Sequence, residues 1–287
     1  MRLVTFSEGG SSRIGRLEGA EVIDLGGAGL PASMVEVLAA DALTDAAQAD
    51  GPRLALASLR LEAPVPNPSK ILAVGLNYAD HVAETGRETP TIPLIFNKQT
   101  TAVTGPFDPV HRPKVSDALD YEGELAIVIG RRCRHVPKDR AHEVIAGYTV
   151  CNDVSVRDWQ RRSPTMTMGK SFDTHCPLGP ALVTVDELGG TPSGLELTTR
   201  VNGEVRQRSN TKELIFDCFD LVEHLSTAFT LLPGDIISTG TCGGVAAAMT
   251  PPKWLVPGDV VRVEIAGLGA IENKIIQEPA GGAWGSA

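Results

Sequence analysis

The sequence predicts a mostly β, mixed α/β fold with few helices, divided into a small N-terminal β domain over residues 1–65 and a larger domain over 66–287. Three observations predict it. Short apolar runs of strand length dominate the chain, a helical period is sustained over only one long stretch, and "APVPNPSK" places three prolines between Pro64 and Pro68. A proline-rich segment is stiff and extended, which makes it a natural boundary.

Before the boundary, "RLVTFS", "RIGRLEG" and "EVIDLG" alternate apolar with polar residues between Gly and Ser, the pattern of small antiparallel hairpins. "MVEVLAADALTDAAQ" predicts a helix after them. Beyond the boundary, strands are predicted in "KILAVGLN", "PLIFNK", "ELAIVIG", "VIAGYTVCND", "PALVTV", "ELTTRVNG", "DIISTGT" and "VVRVEIAGLGAIEN". Asn202-Gly203 in "VNGEV" signals a tight hairpin turn. The long helix is "FDCFDLVEHLSTAFTLL", whose apolar residues recur at helical spacing until Pro233-Gly234 stops them. Two "PGD" turns, at Pro233 and Pro257, each launch a strand.

Composition excludes several classes. At 42% hydrophobic and 21% charged residues the 287-residue chain is neither disordered nor collagen-like. Its apolar runs fall short of the roughly 18 residues of a membrane span, and "MRLVTFSEGG" has no signal-peptide core, so no membrane association is expected. Five cysteines without a C-x-x-C pair argue for reduced thiols in the cytoplasm. A net charge of -9 without a basic run argues against nucleic acid and for a small-molecule partner.

The candidate chemistry begins in "DYEGELAIVIG". On a strand, Glu122 and Glu124 point the same way with Cα atoms roughly 6.5 to 7 Å apart, so they either converge on one cation or form a solvent-facing edge. Asp153 ends the strand-like run "AGYTVCND" and would complete an all-oxygen set for Mg²⁺ or Mn²⁺, with Ca²⁺ a further candidate. Asp153 could equally cap a turn, and Asp158 is a nearby rival. His81 and Glu84 stand at i and i+3, the spacing that lets a carboxylate orient an imidazole as a general base. Gly169-Lys170-Ser171 resembles the end of a phosphate loop, but Pro164 occupies the position of its first glycine. Lys170 is then either a surface lysine or a positive group facing a carboxylate or enolate. "GTCGG" around Cys242 matches a nucleophile elbow with Cys for Ser, yet all six histidines precede it, so Cys242 reads better as a small residue in a glycine loop.

In this order, "NYADHVAE", "DYEGELAIVIG", "GYTVCNDVSVRDWQ", "GKSFDTHCPLGP", "VNGEVRQ" and "PGDIISTGT" resemble the fumarylacetoacetate hydrolase family over residues 66–278. The resemblance implies a rolled β-sandwich catalytic domain behind a small N-terminal domain, assembled as a homodimer. It implies that Glu122, Glu124 and Asp153 hold Mg²⁺ or Mn²⁺, that His81 and Glu84 activate water, and that Lys170 stabilises developing negative charge. Arg157, Gln160, Thr241 and Lys98 match positions around substrate. The implied activity is hydrolysis of a carbon–carbon bond in acylpyruvates or related 1,3-dicarbonyl 2-oxo acids. The alternatives are decarboxylation of an oxaloacetate-type acid or keto–enol isomerisation of a 2-hydroxyhepta-2,4-diene-1,7-dioate-type acid. One departure stands out: Cys242-Gly243-Gly244-Val245 replaces the family's usual proline-containing turn after T-G-T.

Overall fold

The computed structural model describes residues 1–280. In its N-terminal part, β1 (Arg2–Glu8), β2 (Ser11–Glu18) and β3 (Glu21–Asp24) form a meander, followed by α1 (Met34–Ala39), α2 (Leu43–Gln48), β4 (Arg53–Ala55) and β5 (Arg60–Glu62). Then come β6 (Ile71–Gly75), α3 (Ala79–Thr85), β7 (Leu94–Lys98), the short β8 (Val103–Thr104), β9 (Val110–Arg112) and β10 (Leu119–Asp120), and the long β11 (Gly123–Ile129) and β12 (Ile145–Asn152). After β13 (Ser155–Val156), α4 (Arg157–Gln160) and α5 (Thr167–Lys170), the chain closes with β14 (Cys176–Thr184), β15 (Glu196–Val201), β16 (Glu204–Asn210), α6 (Cys218–Ala228), β17 (Ile236–Thr241), β18 (Val260–Ile265) and β19 (Gly269–Gln277).

A 12-stranded sheet runs β4-β3-β2-β1-β14-β12-β11-β17-β6-β7, with β5 on β1 and β8 on β14; a five-stranded sheet runs β16-β15-β18-β19-β9. The central strands β11 and β12 are buried at every position, which is why they read as continuous apolar runs rather than as alternating ones. Successive side chains still alternate faces. Leu125, Ile127 and Ile129 pack in one cluster with α6 and the five-stranded sheet, whereas Ala126 and Val128 pack in another with Met34, Val37 and Leu38 of α1. The N-terminal segment is joined to the larger part by sheet hydrogen bonding, with Arg2 opposite Val183 and Leu3 opposite Leu182.

The Asn202-Gly203 hairpin forms as expected, with φ of 52° and 83° at its two turn residues. Both "PGD" turns launch strands, β17 and β18. Two helical expectations differ from the structure. The single helix expected in "MVEVLAADALTDAAQ" is two, because Ala40 caps α1 and Asp41 adopts a left-handed φ of 54°. The long helix ends at Ala228 rather than running to Pro233: Phe229 is extended, and Leu231 exchanges two backbone hydrogen bonds of 3.0 Å with Cys133. Among the described residues, no helix is long and apolar enough to cross a membrane.

Candidate metal centre and active site

Strand pairing brings the acidic residues together. Gly123 lies opposite Asn152, so Glu122 precedes β11 just where Asp153 leaves β12. The corner is locked from both sides: Asp153 N donates to Glu122 O at 2.8 Å, and Glu122 N donates to the Asn152 side-chain oxygen at 2.9 Å. Glu122, Glu124 and Asp153 are buried, and each offers a carboxylate oxygen within 4.8 Å of the other two. The convergent geometry therefore holds, and the solvent-edge alternative for the two glutamates does not. Asp158 is the wrong rival; its side chain is 45% exposed and accepts from Ser116.

The three carboxylates differ in their partners. Glu122 pairs with Lys170 and lies 2.6 Å from Arg157; Asp153 takes Lys98 at 2.6 Å and Lys170 at 2.7 Å. Burial alone would raise the Glu122 pKa, but Arg157 and Lys170 outweigh it and hold the carboxyl below the usual range. Glu124 has only neutral donors, Ser238 Oγ at 2.6 Å and Gly240 N at 2.9 Å. Among the described residues, no lysine or arginine reaches it. Burial, then the charges of Asp153 and Glu122, push its carboxyl well above the ordinary value. A buried carboxylate without a cation, beside two more hard oxygen donors, fits a divalent ion such as Mg²⁺ or Mn²⁺.

The positive groups are fixed just as tightly. Burial would lower the Lys170 pKa, but Asp153 and Glu122 hold it raised, so the amine stays charged. Arg157 donates from Nε to Asp120 at 2.8 Å and from a terminal nitrogen to Gln160 at 3.0 Å. Lys98 is buried on β7, and its amine also meets the Lys170 carbonyl. It braces Asp153 and Lys170 from behind, outside the residues that line the cavity.

A cavity of about 400 Å³ opens above this cluster, lined by His81, Glu122, Glu124, Arg157, Gln160, Lys170 and Thr241 among others. His81 stands on α3 with Nδ1 3.1 Å from Glu84 Oε2. The other Glu84 oxygen accepts from Gly244 N at 2.8 Å, and Asp80 accepts from Gly243 N at 3.2 Å and Ser209 Oγ at 2.6 Å. The glycine loop thus holds α3 in place. Gly244 has a φ of +101°, and a Cβ there would meet the Arg206 carbonyl oxygen at 2.0 Å, so only glycine fits. Burial, then Asp80, raises the thiol pKa of Cys242, which keeps it protonated and unlike an activated nucleophile. The Thr241 hydroxyl donates to Gly123 O at 3.0 Å and accepts from Gln207 at 2.8 Å.

Sequence reasoning missed several supporting residues. Asp120 is fully buried, pairs with Arg157 and accepts from Ala246 N and Ala247 N at 2.8 and 3.0 Å. It heads the same acidic motif as the two glutamates, and that was its available signal. Asn77 donates to Thr239 O at 2.7 Å and accepts from Phe216 N at 2.8 Å, which secures the turn before α3. Ser238 and Gln207 carry no local pattern that marks them.

Comparison with known proteins finds relatives that cover nearly the whole chain. The family profile described as fumarylacetoacetate (FAA) hydrolase C-terminal matches residues 70–276, and one described as Rv2993c-like, N-terminal matches residues 1–64. The mitochondrial oxaloacetate tautomerase fahd2 of Xenopus laevis is 42% identical over 289 residues, 96% of this chain and 90% of that protein. Among solved structures, a fumarylacetoacetate hydrolase from Exiguobacterium antarcticum superposes with a TM-score of 0.87 at 37% identity, covering 97% of this chain and 100% of that one. A maleylpyruvate hydrolase from Sphingobium sp. SYK-6, in complex with manganese(II) and pyruvate, gives 0.79 at 32% identity with the same coverage.

Proposed function

The chain belongs to the fumarylacetoacetate hydrolase family, and from that premise we propose that it interconverts the keto and enol forms of a 2-oxo dicarboxylic acid of the oxaloacetate type. The observation that carries the reading is one cavity lined by Glu122, Glu124, Lys170 and His81, with Asp153 completing the acidic triad and Glu84 holding His81 from outside the lining, in a chain 42% identical to an oxaloacetate tautomerase.

In this reading Glu122, Glu124 and Asp153 hold Mg²⁺ or Mn²⁺. The ion supplies Lewis acidity toward the oxygens of the 2-oxo acid. Glu84 keeps a proton on His81 Nδ1 and leaves Nε2 free as the base. His81 then takes a proton from C3 of the substrate and returns it to the oxygen on C2, so that a carbonyl becomes an enol with no atom lost. The Lys170 ammonium stabilises the negative charge that grows on that oxygen. Arg157 orients Glu122 and Gln160.

A second reading, carbon–carbon hydrolysis of an acylpyruvate, is favoured by the same His81–Glu84 pair, which suits activation of water, and by the likeness to the maleylpyruvate hydrolase. One assay separates them. With Mn²⁺ or Mg²⁺, the enol absorbance of oxaloacetate should decay toward the keto form faster than in buffer, without release of pyruvate, and a chelator should abolish the acceleration. Release of pyruvate plus a carboxylic acid from acetylpyruvate would favour hydrolysis; a decay no faster than in buffer would overturn the tautomerase reading.

A further inference from the structure

The cations deep in the site are already engaged: Arg157 with Asp120 and Glu122, Lys170 with Glu122 and Asp153, and Lys98 with Asp153. Arg162, next in sequence to the rim, stacks on Trp159 with its guanidinium carbon 3.9 Å from the ring centroid. Two further arginines line the cavity and differ from all of these. Arg87 follows Gly86, the left-handed cap of α3, and Arg161 caps the end of α4; both are exposed. Among the described residues, neither has an ion-pair partner or a side-chain hydrogen bond.

Two free guanidinium groups from two different elements, opening on one cavity of a chain with net charge -9, make a local positive rim on an acidic protein. The triad at the floor would draw one end of a 2-oxo acid through its ion, which leaves the rim for the other end. A guanidinium presents a planar fork that matches a carboxylate. We propose that Arg87 and Arg161 form a recognition clamp for the distal carboxylate of the substrate, so that the site prefers dicarboxylic over monocarboxylic 2-oxo acids. The clamp rests on the reading of this cavity as a 2-oxo acid site, and it names residues that set the preference within it.

The test uses two unreactive ligands of one chain length, 2-oxoglutarate and 2-oxopentanoate, which differ in a terminal carboxylate against a methyl group. Binding to the Mn²⁺-loaded chain is measured by calorimetry at low ionic strength, because exposed charges are screened by salt. The wild-type chain should bind 2-oxoglutarate roughly tenfold or more tightly than 2-oxopentanoate, and the Arg87→Gln, Arg161→Gln double variant should lose most of that ratio. Arg87→Lys, Arg161→Lys should keep part of it. An unchanged ratio in the double Gln variant would overturn the clamp, as would an equal loss of affinity for both ligands, which is the mark of general steering. A chain that keeps the preference but fails to accelerate oxaloacetate tautomerisation would overturn the proposed reaction and leave the clamp standing.

Discussion

Glu124 is the residue on which the proposed metal centre turns. It is buried with no ion-pair partner among the described residues, and burial with the charges of Asp153 and Glu122 favours its protonated form, a bias that a divalent ion held by the three carboxylates would oppose. Glu124→Gln mimics the protonated form. The variant should keep the melting temperature of the metal-free protein within a few degrees while losing the rise that Mn²⁺ gives the wild type, an effect that thermal melts with and without the ion will read. His175 makes a separate prediction. Its Nε2 meets the His111 carbonyl at 2.8 Å, Nδ1 has no hydrogen-bond partner among the described residues, and burial lowers its pKa to about 3. The folded chain therefore resists a proton that the unfolded chain accepts. Stability from this group is complete above about pH 6.5 and falls as the pH drops toward 3, by up to about 1.4 kcal/mol per pH unit. Urea midpoints measured between pH 7 and pH 4 should fall less in His175→Gln than in the wild type.

At the scale of elements, the site depends on a helix held by a loop from far along the chain. Gly244 bonds Glu84 and cannot carry a side chain, so Gly244→Ala should displace the loop and release the carboxylate that orients His81. Turnover should fall roughly tenfold or more with metal affinity little changed, as kinetics and metal titration together will show. Equal metal affinity and full turnover would refute the coupling. This contact also marks what the sequence could and could not tell. Local geometry was legible: the period of two that aligns Glu122 with Glu124, the i, i+3 pairing of His81 with Glu84, and the Asn202-Gly203 turn each follow from adjacent residues. Asp41 was not, because a left-handed conformation at a non-glycine residue has little local signature. Gln207 was not, because its bonds to Gly123, Thr241 and the Cys242 carbonyl cross between sheets. The Arg157–Asp120 pair likewise exists only once the chain has folded.

At the scale of the molecule, the hairpins at the start of the chain bond to β14, and their apolar residues share a cluster with Ile71, Ala126, Val128 and Leu178. Residues 1–65 were expected to form a small domain. Their removal would leave β14 with an unpaired edge and uncover part of that cluster, a template for association between chains. A chain beginning at residue 66 should therefore aggregate or melt well below the full-length protein, as light scattering and thermal melts will read. A soluble fragment with an unchanged melting temperature would show that the N-terminal part is dispensable for stability. The Glu122 corner carries a last consequence. Its oxygens meet only when Gly123 faces Asn152, and a slip of one residue between β11 and β12 would turn Glu124 to the opposite face. Only one alignment of the central strands can then bind the ion. Metal present during refolding would act as a proofreader, rewarding the correctly threaded sheet and leaving its misaligned competitors unrewarded.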